Sequence, residues 1–316
     1  MSHIVILESL GISREELSAL KAPFEKKGHV FSEYPRTADT DLMLRQTADA
    51  DALIIANMPL PGNVIRGCGK LRFIDVAFTG VDHVDLSAAR ERHIAVSNAS
   101  GYSTEAVAEW TLGAALSLLR NLAAVEARCR AGLTKDGLVG SELRGKTVGV
   151  IGYGKIGRRS AELFHAFGCP VLAYSRTRRD NVPAYVTQTS LDELLARSDL
   201  VVLHCPLNSS TQHMIDAKRL SAMKRTAILI NAARGPVVVT QDLADALNAG
   251  VIAGACVDVF DREPPLDPAE PLLSCKNCLV TPHVAFASAE SMRLRAQIVF
   301  DNLSAWMDGH PQNVVL

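Results

Sequence analysis

Short apolar runs of strand length alternate with segments of helical periodicity along most of the chain. Strands of a parallel sheet, buried on both faces, are expected to be nearly continuous apolar runs, and helices connect one strand to the next. The pattern therefore predicts an α/β fold with helices on both faces of parallel sheets. The first four runs are HIVIL, ALIIAN, LRFIDVAF and HIAVSN, and a helical stretch from Thr104 to about Arg130 follows them.

A second series of apolar runs follows that stretch. It comprises TVGVIG, PVLAYS, LVVLHCP, TAILINAA, IAGACVDV and CLVTPH, separated by helix-like segments. Six parallel strands suit a dinucleotide-binding fold. The tail from about Ala287 to Gly309 has apolar residues at helical spacing and can return to the first domain. We therefore predict a dinucleotide-binding domain at 100–285 and a discontinuous substrate domain at 1–99 and 286–316.

The bulk composition is that of a neutral metabolic enzyme. The chain has 316 residues, 48% of them hydrophobic, and its formal charge is -1. A chain of this length most naturally forms two domains, and its charge gives no reason to expect nucleic acid or an anionic membrane as a partner. The N-terminus enters an apolar strand at once, without a signal-peptide pattern, and no apolar run is long enough to span a bilayer. We therefore expect a cytoplasmic protein.

Seven cysteines, an odd number scattered through a long chain, fit a reducing compartment better than a disulfide framework. Only Cys275 and Cys278 form a CxxC pair, and no second pair stands near them in the sequence. Plain packing is therefore favoured over a zinc or redox role for this pair. No metal site is predicted.

The strongest single motif is GYGKIG, which lies directly after TVGVI and directly before a helical segment. In a dinucleotide-binding turn, Gly152 permits the tight turn, Gly154 lets the pyrophosphate approach the backbone, and Gly157 lets helix pack on strand. Lys155 and Ile156 begin the helix whose N-terminus faces the phosphates. A plain glycine-rich turn is the alternative, and the strand-turn-helix setting argues against it.

The end of the second strand indicates which dinucleotide is preferred. An NAD-preferring fold places Asp or Glu there to hold the ribose 2′-hydroxyl, whereas this chain has Ser175, followed by Arg176, Thr177 and two further arginines. Guanidinium groups suit a 2′-phosphate. We therefore expect NADP(H) to be the preferred cofactor and NAD(H) to be the alternative. The competing interpretation is a solvated basic loop beside an unspecific NAD site.

Hydride transfer to a carbonyl also needs a proton donor, a cation that polarises the carbonyl, and a group that tunes the donor. The carboxyl ends of parallel strands line the ligand crevice of a doubly wound sheet. We therefore expect chemically active residues at several strand ends to converge there. The candidates are Arg234 after ILINAA, Asp258 and Glu263 in ACVDVFDREP, and His283 after LVTP.

The segments GYSTEAVAE, GYGKIG, NAARG, DVFDREP and TPH occur in the order found in the D-isomer-specific 2-hydroxyacid dehydrogenase family, which the chain resembles over nearly its whole length. The resemblance implies two Rossmann-like doubly wound domains, a flavodoxin-like substrate domain and a dinucleotide-binding domain. It implies that Arg234 binds the carboxylate and carbonyl of a small 2-oxo acid, that His283 is the acid/base, and that Glu263 pairs with His283. It also places Asp258, Arg234 and His283 beside the cofactor.

The residue types suit these roles. A planar guanidinium grips a carboxylate through two hydrogen bonds, which Lys cannot do. A carboxylate beside His283 favours the protonated imidazole, which can donate to a developing alkoxide and take the proton back in the oxidative direction. Taken alone, Glu263 is also consistent with a surface acid and His283 with a satisfied buried histidine. Their significance lies in the combination with Arg234.

The segment VAFTGVDHVD is similar to the family's substrate loop, whose backbone N–H groups hold the carboxylate. Thr79 and Gly80 are the candidates, and Gly80 alone is equally consistent with a turn glycine. Asn57 and Phe78 are expected to shape the pocket. Thr104 suits both a cofactor contact and a cap of the helix that follows it. The same resemblance implies cofactor contacts from Thr104, Cys205, Pro206 and Ala232.

The sequence features that indicate the substrate do not agree with one another. Glu263 stands where formate dehydrogenases of the family carry Gln, and no C-terminal regulatory domain of the phosphoglycerate enzymes follows. GYSTEAVAE resembles D-lactate dehydrogenases, whereas SRTRR resembles NADPH-linked glyoxylate and hydroxypyruvate reductases. We expect reduction of glyoxylate or hydroxypyruvate, with D-lactate-type activity as the alternative. A dinucleotide-sensing corepressor is the alternative of another class. The resemblance also implies a homodimer formed through the long helix after Thr104.

Overall fold

The computed structural model describes residues 1–263 and 266–316. The chain forms two compact units: unit 1 comprises Met1–Ser103 and Ala287–Leu316, and unit 2 comprises Thr104–Phe286. In the structure the units change after residues 103 and 286, whereas the sequence analysis put the changes after residues 99 and 285. Among the residues described, no helix combines the length and the apolar character needed to cross a membrane.

Unit 1 is built on a parallel sheet whose central strands are wholly buried, as continuous apolar runs predict. Its elements before residue 104 are β1 (His3–Ile6), α1 (Arg14–Glu25), β2 (Val30–Glu33), α2 (Thr40–Thr47), β3 (Ala52–Ile55), α3 (Gly62–Gly67), β4 (Phe73–Val76), α4 (Leu86–Glu91) and β5 (Ala95–Asn98).

The strand order of the unit 1 sheet is β2-β1-β3-β4-β5, and all pairs are parallel. This is the flavodoxin-like order, so the predicted fold class of the first domain is confirmed. The sequence analysis missed β2. Its segment, VFSE, lies at the sheet edge with Val30 exposed, and it therefore lacks the apolar run that marks the buried strands.

Unit 2 contains a larger parallel sheet with helices between its strands. Its elements are α5 (Thr104–Leu119), α6 (Leu122–Arg130), β6 (Val148–Ile151), α7 (Lys155–Ala166), β7 (Val171–Tyr174), β8 (Val186–Gln188), α8 (Leu191–Arg197), β9 (Leu200–Leu203), α9 (Ala217–Ser221), β10 (Ile228–Asn231), α10 (Thr240–Asn248), β11 (Gly254–Val257) and β12 (Cys278–Val280), with short 3-10 turns at Gly235–Val237 and Pro271–Ser274.

The strand order of the unit 2 sheet is β12-β11-β10-β9-β6-β7-β8. Six consecutive strands, β11 to β8 in that order, follow the Rossmann arrangement, in which the order reverses beside the first strand, here between β6 and β9. The dinucleotide-binding fold is therefore confirmed. The predicted count of six strands is wrong by one because β8 is a three-residue edge strand, VTQ, with one buried side chain.

The helical stretch predicted from Thr104 to about Arg130 is broken in the structure. Asn121 adopts a left-handed backbone conformation, with φ of 53°, and separates α5 from α6. Asparagine tolerates this conformation better than most residues, so it can end one helix and begin another. No side chain of α6 is buried in this chain, although its sequence is apolar enough to have extended the helical pattern.

The last helix, α11 (Ala289–Met307), returns to unit 1 as the apolar spacing predicted. Ser288 caps its N-terminus, where its hydroxyl accepts the amide of Ser291. Near the other end, Trp306 stacks on Phe73 of β4, with ring centroids 5.0 Å apart. The helix therefore covers the sheet with a large aromatic surface.

A buried polar group on β4 also binds α11. Asn302 donates to Asp75 Oδ1 at 3.0 Å and to the carbonyl of Asn98 at 3.1 Å, and Asn313 donates to Asn302 at 2.8 Å. Asp75 is fully buried, and its Oδ2 finds no hydrogen-bond partner in the described part of the chain. Burial raises the pKa of the Asp75 carboxyl well above its usual range, against the opposing hydrogen bond from Asn302.

This buried carboxyl predicts a specific pH dependence of stability. In unfolded chains an aspartate titrates near pH ~4. Because the folded-state pKa of Asp75 is higher, the folded protein holds the proton longer, and stability falls as pH rises between the two pKa values. Asp75→Asn lacks this titration. We expect the variant to gain relative to the native chain by up to about 1.4 kcal/mol per pH unit across that window.

The measurement is urea unfolding from pH 4 to 8, followed by Trp306 fluorescence in a Trp110→Phe background. Asp49→Asn is the control, since Asp49 is exposed and forms a surface ion pair with Lys70. A difference between Asp75→Asn and its parent that stays constant over the whole pH range would contradict the buried neutral carboxyl.

Candidate active site

The GYGKIG turn has the backbone form that a dinucleotide site requires. Gly152 has φ of 97°, and a Cβ there would overlap the backbone of His204 and Cys205 at the end of β9. A Cβ on Gly157 would overlap the carbonyl oxygen of Gly152. Glycine is therefore required at both positions so that β6, the turn and α7 can pack closely.

The N-terminus of α7 is open to an anion. Gly154 is its N-cap, and no side chain caps the first amides. A Cβ on Gly154 would meet nothing within 4 Å, and Lys155 is exposed while Ile156 is half-buried. Unsatisfied helix amides and the helix dipole favour a phosphate at such a terminus. The residues present thus fit a dinucleotide pyrophosphate.

The end of β9 lies against this turn and supplies two further predicted residues. Cys205 is buried and Pro206 is exposed. Burial raises the pKa of the Cys205 thiol to about 11, so the sulfur is protonated at neutral pH and is a poor nucleophile. The cofactor contact predicted for Cys205 stays a prediction.

His204, which directly precedes Cys205, has an unusual environment. Its Nε2 lies 2.9 Å from the hydroxyl of Ser160 on α7, and its buried Nδ1 has no hydrogen-bond partner in the described ranges. Burial lowers the pKa of His204 to about 4. A neutral imidazole therefore connects α7 to the strand end beside the glycine turn.

The end of β7 carries no acidic side chain. Ser175 follows the strand, and its hydroxyl donates to the carbonyl of Thr177 at 2.7 Å. Arg176 and Thr177 are exposed, and the loop is closed by hydrogen bonds between the backbone of Arg179 and the side chain of Gln188. The loop thus has a defined shape that leaves the Arg176 guanidinium accessible.

Arg234 lies just past the end of β10 in a turn shaped by a buried amide. The side chain of Asn231 accepts the amide of Ala233 at 3.1 Å and donates to the carbonyl of Arg234 at 3.0 Å. Gly235 is packed so closely against the backbone of Phe260 that no Cβ fits there. Asn231 is a positioning residue that the sequence analysis missed, and its only signal was an amide at the end of an apolar strand.

His283 and Glu263 form the predicted pair. His283 Nδ1 lies 2.6 Å from Glu263 Oε1, with both side chains about one-fifth exposed. The other carboxylate oxygen of Glu263 accepts the amide of Phe260 at 3.2 Å. The ring of Phe286 also meets the imidazole edge to face, with ring centroids 5.5 Å apart. The imidazole is thus fixed in orientation by a carboxylate and an aromatic ring.

Asp258 holds the turn that carries His283. Its carboxylate is buried and accepts the Thr281 hydroxyl at 2.6 Å and the amides of Val284 and Ala285 at 2.8 Å each. Burial raises the pKa of Asp258, while these hydrogen bonds oppose the shift. The cofactor contact predicted for Asp258 stays a prediction, and its hydrogen bonds give it a positioning function.

The structure thus brings together the strand ends that the sequence analysis named. Strands β10, β11 and β12 are neighbours, with Asn231 beside Val257 and Val257 beside Val280. Adjacent strands lie about 4.8 Å apart, so Arg234, Asp258 and His283 belong to one edge of the sheet. Ala232 is half-buried in the same strand-end turn as Arg234, and Thr104 is the first residue of α5.

In unit 1 the predicted substrate residues lie at the corresponding edge of its sheet. Phe78 is buried, with its ring 6.0 Å from that of Tyr102, and the carbonyl of Thr79 accepts the side chain of Asn98 at 2.7 Å. The amides of Thr79 and Gly80 donate to no described residue. Two such amides after a parallel strand suit a carboxylate.

A central segment that covers more than half of the chain matches a family model. Residues 112–285 match the NAD-binding domain of the D-isomer specific 2-hydroxyacid dehydrogenases. The match runs from within α5 to just after His283 and covers the glycine turn and all three strand ends of β10 to β12.

Relatives match over most of their length. A hydroxypyruvate reductase of Blautia hydrogenotrophica is 35% identical over 297 residues, which are 89% of this chain and 90% of that protein. A glyoxylate reductase of Thermofilum pendens is 37% identical over 302 residues, 93% of this chain and 88% of that protein. Among solved structures, the D-lactate dehydrogenase of Aquifex aeolicus, complexed with NAD and lactic acid, has a TM-score of 0.86 at 28% identity and covers 98% of this chain and 96% of its own.

The glycine turn gives a matched pair of predictions. Gly154→Ala adds a methyl group into open space where a phosphate would approach, so we expect unchanged stability and about tenfold weaker dinucleotide binding, equivalent to about 1.4 kcal/mol. Gly157→Ala forces the same methyl group against the Gly152 carbonyl and is expected to lower stability by about 1–3 kcal/mol. Thermal unfolding and titration of NADPH fluorescence separate the two effects. Unimpaired binding by a folded Gly154→Ala protein would contradict the phosphate site.

Proposed function

The chain belongs to the D-isomer-specific 2-hydroxyacid dehydrogenase family, and on that premise we propose that it reduces glyoxylate or hydroxypyruvate with NADPH. The observation that carries the proposal is the His283–Glu263 pair, fixed at the same sheet edge as Arg234. The reaction class, oxidation and reduction at a CH–OH group, follows from the family. The substrate, the preferred cofactor and the role of each residue are the proposed part.

In this proposal His283 moves the proton. Because its Nδ1 is held by the Glu263 carboxylate, Nε2 is the atom that protonates the carbonyl oxygen of the substrate and takes the proton back in the reverse direction. Glu263 stabilises the imidazolium while it exists, and the Asp258 carboxylate holds the backbone of the turn. A bound reduced nicotinamide supplies the hydride.

Arg234 is assigned to the substrate's carboxylate and carbonyl oxygen, where a fixed positive charge stabilises the negative charge that develops on reduction. Its backbone is set by Asn231 and Gly235, so the side chain starts from a rigid turn. The amides of Thr79 and Gly80 are assigned to the substrate carboxylate. Asn57 and Phe78, at the neighbouring strand end and in the same loop, are assigned to the substituent of the 2-oxo acid.

The proposed cofactor site uses the glycine turn for the pyrophosphate and the Ser175–Thr177 loop for the ribose. With no carboxylate at the end of β7, nothing there repels a 2′-phosphate, and Arg176 can bind it. The remaining contacts are assigned to Lys155, Ile156, Thr104, Cys205, Pro206, Ala232, Arg234, Asp258 and His283.

The substrate assignment is supported by the similarity to proteins named hydroxypyruvate reductase and glyoxylate reductase. The similarity to a lactate-bound D-lactate dehydrogenase keeps pyruvate as the alternative. If the protein binds the dinucleotide tightly but turns over none of these acids, the alternative of a dinucleotide-sensing corepressor is favoured.

We also propose a cytoplasmic homodimer. All seven cysteines are free thiols, which suits a reducing compartment. Helix α6 buries none of its side chains in the single chain, and Leu122, Leu133 and Val139 are exposed on or after it. Such an apolar, uncovered segment suits a second copy of the chain. Light scattering of the purified protein distinguishes monomer from dimer.

His283→Asn tests the proton donor. Asparagine retains a polar side chain of similar reach but cannot exchange a proton near neutral pH, so we expect turnover to fall by about 10²–10⁴-fold. NADPH binding, measured by fluorescence, is expected to persist. Glu263→Gln keeps the hydrogen bond and removes the charge, and it should retain more activity than His283→Asn. Near-normal turnover by His283→Asn would contradict the assignment of His283 as the proton donor.

Arg176→Ser tests the cofactor preference. Loss of the guanidinium removes a hydrogen-bonded ion pair with the 2′-phosphate, so kcat/KM with NADPH should fall about tenfold or more while kcat/KM with NADH stays within about twofold. Arg197→Ser is the matched control, since this exposed arginine pairs with Glu193 on α8. Native kcat/KM that is equal for the two cofactors, or higher with NADH, would refute the preference.

A further inference from the structure

A charged residue cluster lies at the carboxyl edge of the unit 1 sheet and takes no part in the roles assigned above except through Asn57. Arg36 Nη1 donates to Glu8 Oε2 at 3.1 Å and to Asn57 Oδ1 at 2.6 Å. Glu8 follows β1, Arg36 follows β2, and Asn57 follows β3. We call these three residues the Glu8 cluster.

Glu8 anchors the cluster. Only 6% of the residue is exposed. Its Oε1 accepts the amides of Ala56 at 2.8 Å and Met58 at 2.7 Å, and its Oε2 accepts Arg36. A buried carboxylate is costly unless it is paired and hydrogen-bonded. Here both oxygens are used, so the carboxylate serves to fix the guanidinium and the loop after β3.

Arg36 reaches across one strand to make these contacts. The sheet order places β1 between β2, which Arg36 follows, and β3, which Asn57 follows. The adjacent Thr37 amide lies 3.3 Å from the sulfur of Met58, so the loop itself crosses in the same direction. A side chain whose Nη1 is held by two acceptors has already lost much of its rotamer freedom, which lowers the cost of using it to bind a ligand.

The cluster still has hydrogen-bond donors to offer. Arg36 is about one-third exposed, and its Nε and Nη2 meet no acceptor in the described part of the chain. With its Oδ1 turned to Arg36, Asn57 presents its NH₂ group, which likewise has no acceptor in the ranges described. Two side chains with unused donor groups therefore remain at this edge of the sheet.

The Asn57 donor is one strand away from the amides assigned to the substrate carboxylate. Asn57 follows β3, and Thr79 follows β4, its hydrogen-bonded neighbour. Neighbouring strands are about 4.8 Å apart, so donors that follow these two strands lie within reach of one small acid. A substrate held through its carboxylate at Thr79 and Gly80 can thus extend its C3 group toward Asn57.

We propose that Arg36 and Asn57, oriented by Glu8, bind a hydroxyl group on C3 of the 2-oxo acid. A second anionic group suits the cluster less well, because the Glu8 carboxylate already neutralises the Arg36 charge. A methyl group would leave the donors without an acceptor, and unpaired polar groups discriminate strongly against such a substrate. The inference rests on the proposed function and selects hydroxypyruvate from the acids considered there.

The test compares three substrates within one variant, Arg36→Gln. We expect kcat/KM for hydroxypyruvate to fall about 10-fold to 100-fold, as for loss of a hydrogen bond from a charged donor. The kcat/KM values for glyoxylate, which has no C3, and for pyruvate, which has a methyl group there, should change by less than about threefold. The ratio of the kcat/KM values for two substrates does not depend on how much of the protein is folded. Partial unfolding, caused by leaving Glu8 unpaired, therefore does not affect this ratio.

Two further variants make the test more specific. Arg36→Lys retains the charge beside Glu8 but lacks the planar fork, so its hydroxypyruvate preference should lie between those of the native chain and Arg36→Gln. Arg66→Gln, which removes an exposed arginine paired with Glu91 on the same unit, should leave the three values unchanged.

An equal fall for all three substrates in Arg36→Gln would overturn the inference and reduce Arg36 to a charge partner of Glu8. A native preference for a dicarboxylic 2-oxo acid such as oxaloacetate that disappears in Arg36→Gln would overturn it too, since the bound group would then be an anion. Either result leaves the proposed reductase activity in place. Absence of native turnover with every 2-oxo acid would instead refute the proposed function, and the inference with it.

Discussion

The geometry of the sheet edge that carries the proposed catalytic residues depends on the hydrogen bonds of the buried Asp258 carboxylate. It lies directly after β11 and accepts three hydrogen bonds from the turn that follows β12. His283 sits within that turn at φ of 52°, a left-handed conformation that is uncommon for a residue with a side chain. The surrounding hydrogen bonds offset the free-energy cost of this backbone conformation. Because these hydrogen bonds hold the turn in one conformation, the His283 imidazole lies within hydrogen-bond distance of Glu263.

The fold followed from the sequence wherever burial on both faces makes a strand a continuous apolar run. Strands β3 and β9 are of this kind, and each was anticipated. The edge strands β2 and β8 were not, because a strand with one neighbour needs fewer apolar residues. The break at Asn121 was also missed, since a left-handed residue between two helices leaves the helical periodicity almost intact.

The candidate site divides in the same way. Arg234, Glu263 and His283 could be named because chemically active side chains follow apolar strands, and parallel topology brings strand ends together. Asn231, Ser160 and Arg36 could not be named. Their functions depend on which buried group lies across a neighbouring strand or helix, and strand pairing and side-chain direction are tertiary facts. A polar residue in a sequence carries no sign of whether its partner is water, backbone or another side chain.

Position along the strand explains why buried acids act differently in this chain. Asp75 lies inside β4, where the backbone amides are committed to the sheet, and its carboxyl receives one side-chain donor and keeps a raised pKa. Glu8 and Asp258 lie just past the ends of β1 and β11, where the chain turns and backbone amides point inward. An acid at a strand end can therefore gather several amides and order a loop, whereas an acid within a strand can only join helix to sheet. Both units use the first arrangement at the edge where parallel strands deliver their functional residues. That shared arrangement is the physical reason for regarding the Glu8 cluster as part of the proposed substrate site rather than as an isolated ion pair.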